Sequence, residues 1–307
     1  MHMSDALLSP VVGGVMAAAS VGAMGYSVRK VAKDALSDKK IPMMGVMGAF
    51  VFAGQMINFT IPVTGSSGHI GGGVLLAALL GPFAALLTLA SVLLIQCLFF
   101  ADGGLLAYGC NVFNMGVAAC LVAYPLIFKP IARRGLNKKN ITIASVAAVV
   151  VGLQIGAFGV VLETLASGIT ELPFAAFAAL MQPIHLAIGL VEGIITAAVL
   201  VFIHSARPEL LDAANTEPAK SVNRVALVIL AAAVVIAGGF AAFASANPDG
   251  LEWAIANITS VFEDGGASVV LLDYDSAFAR IIGVVITLAL VCGIGFSIRA
   301  VRRRRKA

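Results

Sequence analysis

Long apolar runs separated by short polar segments fill most of this 307-residue sequence. A helix needs about 20 apolar residues to cross the hydrocarbon core of a bilayer, and several of these runs reach that length. Hydrophobic residues make up 60% of the chain and charged residues 12%, whereas soluble domains carry roughly 25% charged residues. The sequence therefore predicts an all-α polytopic membrane protein, a helical bundle embedded in the lipid bilayer.

The apolar runs divide into about nine predicted transmembrane segments. They cover residues 11–28, 42–61, 72–80, 83–100, 105–128, 141–162, 183–203, 225–243 and 278–298. The third and fourth come from one apolar stretch, which as a single helix would be about 45 Å long, against a hydrocarbon core of about 30 Å. We expect this stretch to break at Gly81-Pro82, which gives the bundle a short broken hairpin.

Basic residues concentrate in residues 29–40, 129–139, 204–224 and the tail after residue 298. Of the 20 Lys and Arg, only Arg280 lies elsewhere. Lys and Arg mark cytoplasmic loops, so the N-terminus is predicted outside and the C-terminus in the cytoplasm. The first two basic loops then share one side, which requires an even number of crossings between them and again favours the break at Gly81-Pro82. Basic residues placed beside apolar spans do not indicate a nucleic-acid partner.

Neither the cysteines nor the first residues indicate a secreted, disulfide-bonded protein. Cys97, Cys110, Cys120 and Cys292 lie in apolar segments without ligand-like spacing, so we expect small buried hydrophobic residues. The opening MHMSDALLSP lacks the basic region of a signal peptide. We therefore expect Met1 to be the mature N-terminus.

Polar residues gather at the predicted outer end of the bundle. Among them His69 stands between glycines in SSGHIGGG, where the absence of Cβ atoms lets the backbone approach a small ligand closely. Polar side chains inside membrane spans are costly and often functional. The residues that outline an outward-facing cup are His2, Asp5, Gln55, Asn58, His69, Gln96, Asp102, Asn111, Asn114 and Gln182.

Met1 and His2 form a potential metal chelate. The amine of Met1, the amide nitrogen of His2 and the His2 imidazole can surround one ion, and His69 can supply a fourth nitrogen. Such donors favour the square-planar geometry of Ni(II) or Cu(II) and also suit Co(II). The alternative is that each histidine is an ordinary polar residue at a helix end. Metal-binding histidines are usually oriented by a hydrogen bond with a neighbouring residue. If a metal binds, we expect such neighbours of His69 among the residues with amide side chains, namely Gln55, Asn58, Asn111 and Asn114.

Two acidic features leave their roles open. Glu192 lies mid-span, seven residues after His185, so both face the same side of one helix; it is either a buried packing residue or a proton or ion relay. A polar segment, 245–274, either gates metal loading, attracts cations or is a solvated loop. The acidic residues of this segment are Asp249, Glu252, Glu263, Asp264 and Asp273, and Asp275 follows it directly.

Several motifs resemble the substrate-capture component of energy-coupling-factor transporters for nickel and cobalt. They are Met1-His2, FAGQMINFTIPVTGSSGHIGGG at 52–73, GPFAALL at 81–87 and DGGLLAYGCNVFNMGV at 102–117. NPDGLEWA at 247–254 resembles the small two-helix companion subunit of the same systems. The expected organisation is a metal-capture domain at 1–204, a cytoplasmic linker at 205–224 and a companion domain at 225–307.

The resemblance implies uptake of nickel or cobalt across a prokaryotic cell membrane. In the family, the ion is held by the terminal amine, the amide and imidazole of the second residue, and the histidine of the Gly-His loop; these fall on Met1, His2 and His69. Energy then comes from a transmembrane coupling protein and separate ATPases, in keeping with the lack of a phosphate-binding GxxxxGK[ST] motif here. The ion is cargo, and no cofactor is expected.

Two other functional classes are weighed against this one. An ion-coupled secondary transporter using Glu192 would depend on a proton gradient instead of partner ATPases. An intramembrane metalloprotease would need a metal site such as His-Glu-x-x-His, which the sequence lacks. We therefore expect a transport component and not an enzyme.

Overall fold

A computed structural model describes residues 1–33, 37–211, 223–259, 271–273 and 276–304. It is a bundle of helices with one small β-hairpin. The helices are α1 (Pro10–Lys33), α2 (Ser37–Gln55), α3 (Gly73–Leu80), α4 (Pro82–Phe100), α5 (Tyr108–Arg133), α6 (Lys138–Ser167), α7 (Phe174–Ala206), α8 (Asn223–Gly238), α9 (Gly250–Thr259) and α10 (Ala277–Arg304). The central part of α5, Val112–Phe128, has the wider hydrogen-bonding pattern of a π-helix.

Within the described residues, six helices are long and apolar enough to cross a membrane, namely α1, α4, α5, α6, α7 and α10. Shorter apolar helices occupy Ile41–Gln55 and Ala226–Gly238, and every residue of the eight-residue α3 is buried. The predicted class, a helical membrane protein, is confirmed. The count of nine segments and the orientation of the two termini stay predictions.

The break within the long apolar stretch is confirmed. Helix α3 ends at Leu80, α4 begins at Pro82, and Gly81 between them has a φ of 81°. A residue with a side chain rarely adopts this conformation, whereas glycine does so at little cost. Proline then suits the first position of α4, where its missing N–H is not needed.

The predicted boundaries between residues 163 and 182 were wrong. Helix α6 continues to Ser167 and α7 begins at Phe174, so Pro183 lies inside α7 and not at its start. The preceding segment FAAFAALM consists of apolar residues, most of them good helix formers. Proline is also tolerated inside membrane helices, where neighbouring groups satisfy the backbone.

The fold also departs from an all-α bundle at one place. Strand β1 (Phe59–Ile61) pairs antiparallel with β2 (Ser66–Gly68), with Thr60 opposite Ser67. Positive φ angles of 70° at Val63 and 73° at Gly65 close the turn between them. This hairpin carries His69 directly after its second strand.

The last helix of the companion region packs on the capture region. A Cβ at Gly48 of α2 would lie 3.2 Å from Val291 of α10, and one at Gly45 would lie 3.1 Å from Leu288. Small residues let membrane helices approach each other closely. The predicted linker between the regions lies mostly outside the described residues, which resume at position 223.

Candidate metal-capture site

The first residues of the chain are inserted into the end of the bundle that is predicted to face outside. Met3 is fully buried, and Asn111 contacts its backbone twice. The Met3 N–H donates to Asn111 Oδ1 at 2.7 Å, and Asn111 Nδ2 donates to the Met3 carbonyl at 3.0 Å. Asp5 accepts the Ala107 N–H at 2.9 Å. These bonds hold residues 1–5 against the start of α5 and the loop that precedes it.

This insertion places the terminal amine beside His69. The Met1 nitrogen lies 3.3 Å from Nε2 of His69, and Nδ1 of that ring is 3.0 Å from the Ile70 carbonyl. A carbonyl can only accept, so Nδ1 carries the proton and the Nε2 lone pair faces the amine. Burial, and then the amine, lower the pKa of His69 to about 3. The ring is therefore neutral at physiological pH and able to act as a metal ligand.

The ring of His2 completes a cluster of nitrogen atoms. It stacks on the His69 ring, with centroids 5.1 Å apart and an angle of 15° between the planes. Its Nδ1 pairs with Asp102 Oδ1 at 2.9 Å, whereas its Nε2 is buried and makes no hydrogen bond among the described residues. Burial alone would raise the pKa of Asp102, but the His2 ring, the His69 ring and the terminal amine together lower it to about 2.

A second carboxylate comes from the companion region. Asp249 Oδ2 lies 2.6 Å from the Met1 amine, and both side chains are largely buried. The other oxygen of Asp249 accepts the N–H groups of Leu251 and Glu252, while the Asp249 N–H donates to Glu252. This is a capping box at the start of α9. Although burial would raise the pKa of Asp249, the amine, the Glu252 N–H and the His69 ring together hold the pKa below its usual range.

The segment before α9 covers the hairpin that carries His69. The Ser67 N–H donates to the Pro248 carbonyl at 2.7 Å, and Ser67 Oγ donates to the Asn247 carbonyl at 2.7 Å. Trp253 Nε1 donates to the Thr64 carbonyl at 2.8 Å. These bonds fix Asp249 over the amine, so the companion region forms one wall of the site.

The glycine segment after His69 is held from two sides. Gln55 Nε2 donates to the Gly71 carbonyl, and Glu192 Oε1 accepts the Gly72 N–H, each at 2.9 Å. Gly72 has a φ of 74°, and a Cβ there would lie 2.6 Å from Val51. Only glycine fits this turn, which aims His69 towards the N-terminus. The described contacts of Glu192 thus give it a positioning role.

The amide residues expected to orient the His69 ring contact other groups. Gln55 binds Gly71, Asn111 binds Met3, and Asn114 Nδ2 donates to Glu163 Oε2 at 2.7 Å. Asn58 contacts the companion region through its backbone carbonyl, which accepts the Ser245 N–H at 2.8 Å. The ring itself is oriented by Ile70, its chain neighbour, because this carbonyl lies within reach of Nδ1. A role of these four residues around a bound metal stays a prediction.

Sequence reasoning placed Asp102 in the outward-facing cup but did not pair it with His2, and it did not pair Asp249 with the amine. A signal for Asp249 was present, because D-x-x-E before an apolar run is a capping-box pattern and predicts a helix at α9. Of the other acids in this segment, Glu263, Asp264 and Asp275 lie outside the described residues. Within the described residues, Asp249 and Glu252 at the start of this segment form the contacts given above.

The donor set suits a borderline transition metal. Among the described residues, no group of three or more His, Cys, Asp or Glu side chains is arranged to hold a metal ion. A site here would therefore depend on main-chain nitrogens from Met1 and His2 in addition to the two imidazoles. Imidazole and amine nitrogens match nickel, copper and cobalt, whereas magnesium and calcium prefer oxygen.

Comparison with known proteins supports this chemistry. Residues 2–210 match a family described as the cobalt uptake substrate-specific transmembrane region, and residues 223–272 match the PDGLE domain. The fused nickel transport protein NikMN of Rhodobacter capsulatus is 31% identical and aligns over 99% of both chains. The cobalt transport protein CbiM of Geobacter sulfurreducens is 30% identical over 78% of this chain and 72% of its own.

A solved structure shares the fold. The crystal structure of a truncated transition metal transporter superposes with a TM-score of 0.59 and 31% sequence identity, covering 67% of this chain and 99% of the other. The match to the capture family extends over more than half of the sequence, and the PDGLE domain follows it. The chain therefore belongs to the cobalt uptake substrate-specific transmembrane family, as a multi-pass protein of the prokaryotic cell membrane fused to a PDGLE companion domain.

Proposed function

We propose that this chain captures a nickel or cobalt ion outside the membrane for ATP-driven uptake. The observation that carries the proposal is the meeting of the Met1 amine, the His2 ring and His69 Nε2 in one buried cluster. The ion is the transported substrate, held by the amine, the amide and imidazole of His2, and His69. These ligands suit both metals, so the choice between nickel and cobalt rests on transport measurements.

Loading the ion exchanges two ion pairs for metal–nitrogen bonds, and it releases one proton from the Met1 ammonium group and one from the His2 amide, because only deprotonated nitrogens bind the metal. Asp249 now holds the amine, and Asp102 holds Nδ1 of His2. Nδ1 is also the nitrogen of this ring that closes the smaller chelate ring with the His2 amide. When the ion displaces both carboxylates from these nitrogens, the carboxylates remain beside it. Their negative charges then offset the charge of a buried dication, which is otherwise costly to desolvate.

We propose that energy for release into the cytoplasm comes from partners. The chain has no phosphate-binding GxxxxGK[ST] motif, so a transmembrane coupling protein and cytoplasmic ATPases would supply ATP hydrolysis. In this scheme residues 1–204 capture the ion, 205–224 link the domains in the cytoplasm, and 225–307 form the companion domain. Glu192 serves to position the glycine segment, which gives no support to a proton-coupled transporter that uses it.

Uptake of radioactive nickel and cobalt tests this function. The chain, with Met1 as its first residue, is expressed in a strain without its own nickel and cobalt importers, with and without the coupling protein and ATPases. We expect uptake only when all partners are present, because the chain alone lacks an energy source. Uptake without the ATPases that collapses when the proton gradient is removed would contradict the proposal and favour the secondary transporter.

A further inference from the structure

A third histidine lines the same cavity as Met1 and His69. His185 of α7 is fully buried, and its Nδ1 lies 2.8 Å from the Met181 carbonyl, so Nδ1 carries the proton. Its Nε2 is buried and has no hydrogen-bond partner among the described residues. Buried polar atoms are nearly always paired, and an exception in a folded protein calls for an explanation. The free lone pair of Nε2 is a nitrogen donor of the type that nickel and cobalt accept.

His185 lines a small cavity together with two of the proposed ligands. The cavity, of about 20 Å³, is lined by Met1, His69 and His185. Gly250 of the companion region also borders it, and a Cβ there would lie 3.2 Å from His185 Nε2. Such a volume holds about one water molecule, so the space matches a single small ligand and not an organic molecule.

A second cavity adjoins the first. It has a volume of about 30 Å³, shares Gly71, Met115 and Leu153 with the first cavity, and reaches Glu192. His185 and Glu192 therefore lie two helical turns apart on the same face of α7, each beside one cavity. The two cavities form a line from the capture nitrogens towards the middle of the bundle, with a nitrogen donor first and a carboxylate after it.

We propose that His185 is the first ligand of an inner binding position that receives the metal ion as it leaves Met1, His2 and His69. The inference rests on the proposed capture function. The bound cargo is a divalent transition-metal cation. His185 acts after capture: its Nε2 binds the ion while Met1, His2 and His69 dissociate from it. Glu192 lies at the inner end of the same line of cavities.

The test separates capture from transfer. His185→Gln and His185→Asn are compared with His204→Gln, a matched change near the other end of α7, about 28 Å further along the helix by its rise per residue. Each full-length chain is titrated with Ni(II) after purification, and nickel uptake is measured in cells that contain all partners. We expect Ni(II) affinity within about twofold of the unaltered chain and uptake at least about tenfold slower for both His185 variants, the size of effect usual for residues that support a metal site.

Retained capture also shows that the variants are folded. Uptake by both His185 variants equal to that of the His204 variant would overturn the inner position. Loss of Ni(II) affinity in parallel with uptake would overturn it as well, because His185 would then act in capture or in folding. If the unaltered chain itself failed to bind Ni(II), the proposed capture function would fail, a result distinguishable from any difference between the variants.

Discussion

Replacing His69 with alanine should abolish nickel capture, lowering Ni(II) affinity at least about 100-fold. Removing a residue that only hydrogen-bonds a metal ligand already lowers metal affinity roughly 10- to 100-fold. His69 is proposed as a ligand itself, so its loss should cost at least as much affinity. Its Nε2 lies 3.3 Å from the Met1 amine, and its ring stacks on His2. Without this nitrogen, the Met1–His2 chelate would be left with one open position.

The loop around His69 should survive this change. Strand β2, Gln55 and Glu192 hold the backbone on both sides of the residue, and the lost side-chain bond is to the neighbouring Ile70 carbonyl. Equilibrium dialysis with Ni(II) measures the effect, and His204→Ala serves as the control at the far end of α7. Equal affinity of the two variants would remove His69 from the ligand set.

Replacing Gly104 with alanine should lower Ni(II) affinity by about tenfold or more, although Gly104 is not a ligand. Changes at residues that support a metal site usually lower affinity by this much. A Cβ at this position would overlap the Asp5 carboxylate and lie 2.6 Å from the Asp5 backbone nitrogen. Backbone atoms cannot move aside as a flexible side chain can. The inserted N-terminal segment must therefore shift, and Met1 and His2 shift with it.

A matched glycine in α1 provides the control. A Cβ at Gly14 would meet nothing within 4 Å, so Gly14→Ala should leave Ni(II) affinity unchanged. Titration of both variants with Ni(II), together with a check of their elution from a sizing column, separates a local shift from misfolding. Full affinity in a folded Gly104→Ala chain would show that the insertion of residues 1–5 does not govern capture.

The helical architecture could be predicted because its causes are local. Apolar runs of membrane-spanning length and the clustering of Lys and Arg indicate where helices lie, and Gly81-Pro82 marks a break by its own backbone chemistry. The hairpin at 59–68 escaped prediction because its strands have only three residues each. Such short strands leave no alternating pattern to detect.

The candidate site was partly predictable for a different reason. Met1, His2 and His69 stood out by residue type and by the glycines around His69. The carboxylates did not, because the partner of Asp249 is the amine 248 positions earlier and that of Asp102 is His2. These pairings depend on how the helices assemble. The inner histidine, His185, was visible only as a neighbour of Glu192 on one helix face, and its unpaired nitrogen required the packed structure.

The most direct test of the capture site is a Ni(II) titration of the chain that begins at Met1 beside a chain with two extra residues before it. In the extended chain the Met1 nitrogen becomes an amide nitrogen. The new terminal amine belongs to the first added residue and lies away from His69 and Asp249. We expect one ion bound with the yellow spectrum of square-planar nickel in the first chain, and no such spectrum in the extended one. Equal binding and identical spectra would contradict the account, because Met1 would then not be a ligand.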